Sequence, residues 1–178
     1  RKRDVHTNVV VREPSALRVE LTEIERTFYE LVTDRVRDYC SQFDLFEGFM
    51  LRIPQRQLTS SIPAAVRAWR KKLPQSTIDE IAESIGTDAS LDEHLATESE
   101  QGPLVSLLSS LSVTDADYQQ LRQEDSKFNT LSSALKTYWH SNPGGKVVLF
   151  SYYRETLFYL EERFLEQGIK TSLLMGGM

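Results

Sequence analysis

Residues 146–178 read KVVLFSYYRETLFYLEERFLEQGIKTSLLMGGM and contain two short apolar runs separated by a helical pattern. The runs Lys146–Ser151 and Thr171–Leu174 are too short for helices and are rich in residues that favour strands. Between them apolar residues recur at helical spacing, and Gly168 stands where a helix-ending glycine is expected. The stretch therefore predicts a parallel β-α-β unit. Because one unit cannot cover both faces of a sheet, we expect further sequence to complete it.

The residues before this unit predict helices. The sequence Ala16–Leu21 alternates and predicts a strand, and Thr22 with Glu25 has the spacing of a capping box for a helix ending near Phe43. A junction bracketed by Gly48 and Pro54 is expected next, and apolar spacing then predicts helices at residues 55–61, 63–72, 104–111 and 114–139, the last with a break at Asp125-Ser126. The predicted fold class is mostly α, with a C-terminal α/β piece.

Charge divides the chain unevenly around its net charge of −5. Residues 1–72 carry 14 Lys and Arg against 10 Asp and Glu, whereas residues 73–121 carry 10 Asp and Glu and no Lys or Arg. The acidic, apolar-poor segment 74–103 is expected to be mobile and could bind a protein partner. The net negative charge argues mildly against a free-standing nucleic-acid binder.

Composition excludes several classes of protein. No apolar run approaches the roughly 18 residues of a membrane span, so no membrane partner is expected. Cys40 is the only cysteine, which predicts a buried thiol and a cytoplasmic location, with nucleoid association if the protein is bacterial. The three histidines, His6, His94 and His140, are scattered, so no metal site is expected. The chain begins with Arg1, as expected for a segment of a longer protein.

The motifs of residues 146–178 resemble the start of the second motor lobe of Swi/Snf-type ATPases, within the superfamily 2 helicases. In that family a strand ends in Phe-Ser, an aromatic and a basic residue open a helix, and a later strand ends in Gly-Gly-Met. The matching residues here are Phe150-Ser151, Tyr153-Arg154 and Gly176-Gly177-Met178. The family commonly has Gln where this chain has Tyr152. Weaker similarities to the segments between the two lobes occur at residues 1–29, 56–61 and 125–128.

The resemblance implies a piece of a motor. Residues 1–21 would leave the first lobe, residues 22–141 would form the helical inter-lobe region, and residues 142–178 would begin a truncated RecA-like lobe. It implies ATP and magnesium as cofactors of the full-length parent and double-stranded DNA as its partner. The chain itself has no Gly-x-x-x-x-Gly-Lys-Ser/Thr loop and no Asp-Glu pair after a strand. We therefore expect it to bind neither cofactor and to hydrolyse no ATP alone.

Two short segments near the C-terminus are candidate DNA contacts. Ser151 and Arg154 are placed between a strand and a helix N-terminus, where α/β sheets bind phosphates. Gly176 and Gly177 could allow close approach of a phosphate, and the resemblance places this turn and Ser151 along the DNA track. The alternative is that Ser151 caps the helix, Arg154 is solvated and the glycines form an ordinary turn.

A basic cluster in the predicted second and third helices is a further candidate. Phosphate contacts require charge more than base sequence, and Trp69 lies inside a group of cations formed by Arg52, Arg56, Arg67, Arg70, Lys71 and Lys72. Such a stripe could equally be a solvated helix face. For the whole chain, the alternative to a motor fragment is a non-enzymatic helical protein-interaction module with an acidic surface.

Overall fold

A computed structural model of the chain describes residues 15–70, 107, 108 and 110–175. These residues confirm a mostly helical fold. Its helices of nine residues or more are α1 (Glu23–Phe43), α2 (Glu47–Ser60), α3 (Ile62–Arg70), α4 (Asp115–Gln123), α5 (Ser126–Ser141) and α6 (Arg154–Glu166). The acidic segment 74–103 and half of the predicted helix at residues 104–111 lie outside the described residues.

Helix α1 begins at the predicted capping box. The Thr22 hydroxyl accepts the Glu25 backbone N–H at 3.4 Å, and the Glu25 carboxylate accepts the Thr22 N–H at 2.8 Å. These contacts satisfy two amides that the first helical turn would otherwise leave unpaired. The buried face of α1 carries Phe28, Val32, Val36 and Cys40, which confirms the predicted buried thiol. Burial also raises the pKa of Cys40, as expected for a packed cysteine.

Helix α2 corrects the predicted junction at Gly48 and Pro54. The helix begins at Glu47 rather than Gln55 and contains both residues. Proline removes one backbone hydrogen bond from a helix interior and normally argues for a break. Here Pro54 is fully buried, Met50, Leu51, Ile53 and Leu58 on the same helix are buried too, and α2 packs against α1. Tertiary packing therefore outweighs the local preference of proline.

Helices α3, α4 and α5 follow the sequence prediction more closely. Pro63 lies in the first turn of α3, which begins at Ile62. Thr114 and Asp117 form a capping box at α4. The break at Asp125-Ser126 separates α4 from α5, because the Asp125 side chain accepts the Phe128 N–H and caps the new helix.

Two groups of buried apolar side chains hold these helices together. The larger group joins α1, α2, α3 and α4, with Trp69 and Leu121 fully buried in it. The smaller group joins α5 and α6 through Phe128, Leu135 and Phe164, and Leu149 and Ile169 pack against it from the flanking segments. Helix α6 also contacts α3, which links the two groups.

The C-terminal unit contains its predicted helix but not its predicted strands. Helix α6 ends at Glu166, and Gly168 follows with φ 72°, as expected for a helix-ending glycine. Residues 146–151 and 171–174 are not strands, and neither are residues 16–21. A strand is defined by hydrogen bonds to a neighbouring strand, and no strand is available as a partner among the described residues. The prediction of a β-α-β unit is therefore not realised in this part of the chain.

Candidate nucleic-acid interface

The exposed face of α2 carries two of the predicted contact residues. Arg52, Arg56 and Ser60 are spaced four residues apart, so they lie along one stripe of the helix. Both arginines are exposed, and Ser60 is half-buried at the C-terminal end of α2. Leu51, Ile53 and Leu58 are buried in the core, so the stripe of Arg52 and Arg56 faces the solvent.

The start of α6 lies directly against the end of this stripe. The Ser60 hydroxyl oxygen is 3.0 Å from that of Thr156 and 3.5 Å from that of Ser151. The Arg56 guanidinium lies over the Tyr152 ring, 5.2 Å from its centroid. The fold thus brings together Ser60 and Ser151, which are 91 residues apart in the sequence. Together with the exposed Arg154, they form what we call the α2–α6 surface: Arg52, Arg56, Ser151, Tyr152 and Arg154.

The N-terminus of α6 contributes backbone dipoles to this surface. Tyr153 is its N-cap residue and makes no side-chain hydrogen bond to the helix. The amides at a helix start carry partial positive charge and favour an anion. Arg154 is the first helical residue and is exposed beside them. The arrangement is suited to phosphate, although Glu155 in the same turn opposes it in part.

Ser151 also has a structural role, as the alternative interpretation of the sequence allows. Its hydroxyl accepts the Tyr153 N–H at 3.3 Å, and it is also 3.3 Å from the Tyr153 carbonyl. These contacts shape the turn into α6. A substitution at Ser151 would therefore disturb the helix start as well as the surface, which makes Arg154 the better residue to test.

The rest of the predicted basic cluster lies elsewhere. Arg67 is mostly buried and pairs with Glu155 at 3.3 Å and Glu162 at 2.9 Å. Arg70 pairs with Asp115, and Trp69 is buried between helices. The two α3 arginines, Arg67 and Arg70, therefore bind acidic groups of α4 and α6. Lys71, Lys72, Gly176 and Gly177 lie outside the described residues.

Ion pairs hold α6 in place relative to the helical region. Arg67 on α3 and Arg122 on α4 both bind Glu162, and Arg122 also binds Glu166 at 2.5 Å. The two arginine side chains are each about one-sixth exposed, at 16%. The position of the α6 N-terminus against α2 is thus fixed by contacts along the whole length of α6.

A groove of about 350 Å³ lies beside the α2–α6 surface. Its wall includes Ser60, Ser151, Thr156 and the Lys127 side chain, whose ammonium group donates to the Thr59 carbonyl at 2.6 Å. Sequence reasoning did not select Ser60, Thr156 or Lys127 as site residues. Ser60 and Lys127 fall in the segments of weaker similarity at residues 56–61 and 125–128, and Thr156 falls in residues 146–178, but nothing in these segments indicates that the three residues meet.

A buried polar network includes Asp125 and Tyr159, which also line the groove. Asp125 accepts the Tyr159 hydroxyl at 2.8 Å, and Arg163 donates to the same hydroxyl at 2.6 Å. Glu25, also buried, accepts the Ser126 N–H at 3.0 Å. The network joins α1, α5 and α6 at one point. Burial raises the pKa of Asp125, and the nearby Glu25 charge raises it further, against the lowering effects of the hydrogen bonds and Arg163.

None of the helices in residues 15–70 and 110–175 is long and apolar enough to cross a membrane. Over the same parts of the chain, no group of three or more His, Cys, Asp or Glu side chains could hold a metal ion.

No protein-family model, no curated protein and no solved structure matches this chain. Its function is therefore inferred from the α2–α6 surface and from the resemblance of its motifs.

Proposed function

We propose that the chain is part of an ATP-dependent, helicase-like DNA translocase of the Swi/Snf type. In this proposal the helical region lies between two motor lobes and residues 142–178 begin the second lobe. The observation that carries the proposal is the contact between α2 and the start of α6, where Ser60 meets Ser151 and the Arg56 guanidinium lies over the Tyr152 ring. Duplex DNA is the proposed ligand, held by its phosphates without regard to base sequence.

The exposed apolar residues of the C-terminal unit also support the proposal. Val148 and Leu174 are exposed at 71% and 89%, and Phe150 is exposed at 93%. Side chains of this kind are normally buried. We propose that residues 146–151 and 171–174 become parallel strands when further strands of a RecA-like lobe pair with them, which would bury these side chains.

The proposed role of the chain is mechanical coupling. ATP and magnesium would bind the full-length parent between its lobes, and closure of the lobes would move the α2–α6 surface along DNA. The ion pairs of Arg67 and Arg122 with α6 would make the helical region and the start of the second lobe move as one. The parent would act in the cytoplasm, on the nucleoid if it is bacterial.

The alternative is a non-enzymatic module that binds a protein through the acidic segment 74–103. The coding sequence downstream of Met178 discriminates the two. A motor requires several more strands and a Gln-x-x-Gly-Arg-x-x-Arg-like motif. A stop codon directly after Met178 favours the binding module.

The functional test is the substitution of Arg154 by alanine in the full-length parent. We expect the DNA concentration for half-maximal ATPase stimulation to rise roughly tenfold, because a hydrogen bond to a charged group contributes about 1.5 kcal/mol or more. The basal ATPase rate should change little, since Arg154 is assigned to DNA and not to the nucleotide. The measurement is phosphate release as a function of DNA concentration.

Arg35→Ala provides the matched control, because Arg35 is an exposed arginine on α1 outside the α2–α6 surface. It should leave both rates unchanged. An equal loss of basal and stimulated rates in Arg154→Ala, with unchanged half-maximal DNA concentration, would contradict the DNA assignment.

A further inference from the structure

Tyr152 is the position at which this chain departs from the motif it resembles, which commonly has Gln there. The side chain is 55% exposed and lies between the half-buried Ser151 and the buried Tyr153. Its aromatic face is covered by the guanidinium of Arg56, 5.2 Å from the ring centroid. A glutamine has no such face. Tyrosine at this position therefore makes a contact with Arg56 that glutamine could not make.

The Tyr152 ring is itself held in place. It meets the ring of Tyr153 edge-on, with centroids 5.1 Å apart and planes at 78°. Tyr153 is buried and is the N-cap residue of α6, so the Tyr152 ring packs against a side chain that is itself held in place. Edge-to-face pairs of this kind restrict the ring without closing its other face.

An arginine held over a ring loses less conformational freedom on binding a phosphate than a freely moving one. The guanidinium is planar, so one face can stack on an aromatic ring while its edge N–H groups remain directed outward. Stacking on Tyr152 therefore does not use the donors that a phosphate requires.

From this geometry we infer that Tyr152 is a positioning residue of the proposed DNA contact: its ring fixes the Arg56 guanidinium for a phosphate of the duplex backbone. The inference rests on the proposed function. Tyr152 acts through Arg56 and does not itself read bases. With tyrosine at position 152, the phosphate contact of Arg56 should be more rigid than it would be with glutamine there.

The test is a double-mutant cycle between Tyr152 and Arg56 in the 178-residue chain, with affinity for a short blunt DNA duplex measured by fluorescence anisotropy at low salt. We expect Tyr152→Ala and Tyr152→Gln to weaken binding about two- to fivefold, the range of an exposed cation–π contact. Tyr152→Phe should retain wild-type affinity, because it keeps the aromatic face. In the Arg56→Ala background, Tyr152→Ala should cause no further loss.

Each other outcome has a defined meaning. Equal losses from Tyr152→Ala in both backgrounds would overturn the inference, since Tyr152 would then contact DNA independently. Weakened binding in Arg56→Ala with wild-type binding in Tyr152→Ala would overturn the inference and leave the proposed function standing. Unchanged binding in Arg56→Ala would overturn the inference, because there would be no phosphate contact to position. A chain without measurable DNA affinity would overturn both. Unchanged thermal melting of each variant excludes loss of folding as the cause.

Discussion

Replacing Trp69 with alanine is expected to lower the free energy of unfolding of the chain by about 3–5 kcal/mol, the usual range for deleting a buried large aromatic side chain. Trp69 is 2% exposed and packs in the larger core group. Its indole N–H donates to the Gln57 side-chain oxygen at 2.9 Å, so the substitution also leaves a buried acceptor unpaired. The measurement is urea denaturation followed by circular dichroism.

Leu165→Ala is the control for this prediction. Leu165 lies on α6 with its side chain 69% exposed, and its truncation should change the free energy of unfolding by no more than about 0.5 kcal/mol. A similar stability for the Trp69 and Leu165 variants would show that α3 does not pack as described. The test matters for function because α3 carries Arg67, which holds α6 against the helical region.

Asp125→Ala is expected to destabilise the chain by roughly 2–4 kcal/mol, because it removes both a helix cap and a buried hydrogen-bond acceptor. The Phe128 N–H and the Tyr159 hydroxyl would each lose a partner at 2.8 Å. Asp125→Asn should cost much less, since its amide oxygen can still cap the helix and the buried negative charge is removed.

The same residue gives a pH dependence of known sign. Because burial and Glu25 raise the pKa of Asp125 in the folded chain, the folded state holds this proton more tightly than the unfolded state. The wild type should therefore gain stability relative to Asp125→Asn as the pH falls from about 7 toward about 4, and lose it as the pH rises again. Denaturation curves of both chains over this range measure the difference. A constant difference, or one of opposite sign, would show that the carboxyl is not held as described.

Local patterns predicted much of the helical part of this fold. The capping box at Thr22, the break at Asp125 and the glycine after α6 are all decided by residues close in sequence. Where the prediction was wrong, a distant contact decided the outcome. Pro54 and Gly48 look like a junction in isolation, but burial of the α2 face against α1 extends the helix through both.

The candidate site divides in the same way. The sequence indicated Arg56 and Ser151 separately, and no local pattern could show that Ser60 links them. Nor could it show that Arg67 would be used internally, because its partners Glu155 and Glu162 are 88 and 95 residues away in the chain. Residues 146–151 have the composition of a strand, but a strand also requires a neighbouring strand to pair with. The sequence of the segment does not show whether such a partner is present.

The most direct test of the α2–α6 surface is the salt dependence of DNA binding by the 178-residue chain. The variant combines Arg52→Ala, Arg56→Ala and Arg154→Ala. Its control has the same net charge, with alanine at the exposed positions Arg18, Arg26 and Arg35. Affinity for one duplex is measured between about 50 and 200 mM salt. If the surface binds the DNA backbone, the slope of log affinity against log salt should fall by about one unit for each surface arginine removed and stay near the wild-type value in the control. Equal slopes for the two variants would contradict the proposal that this surface contacts DNA.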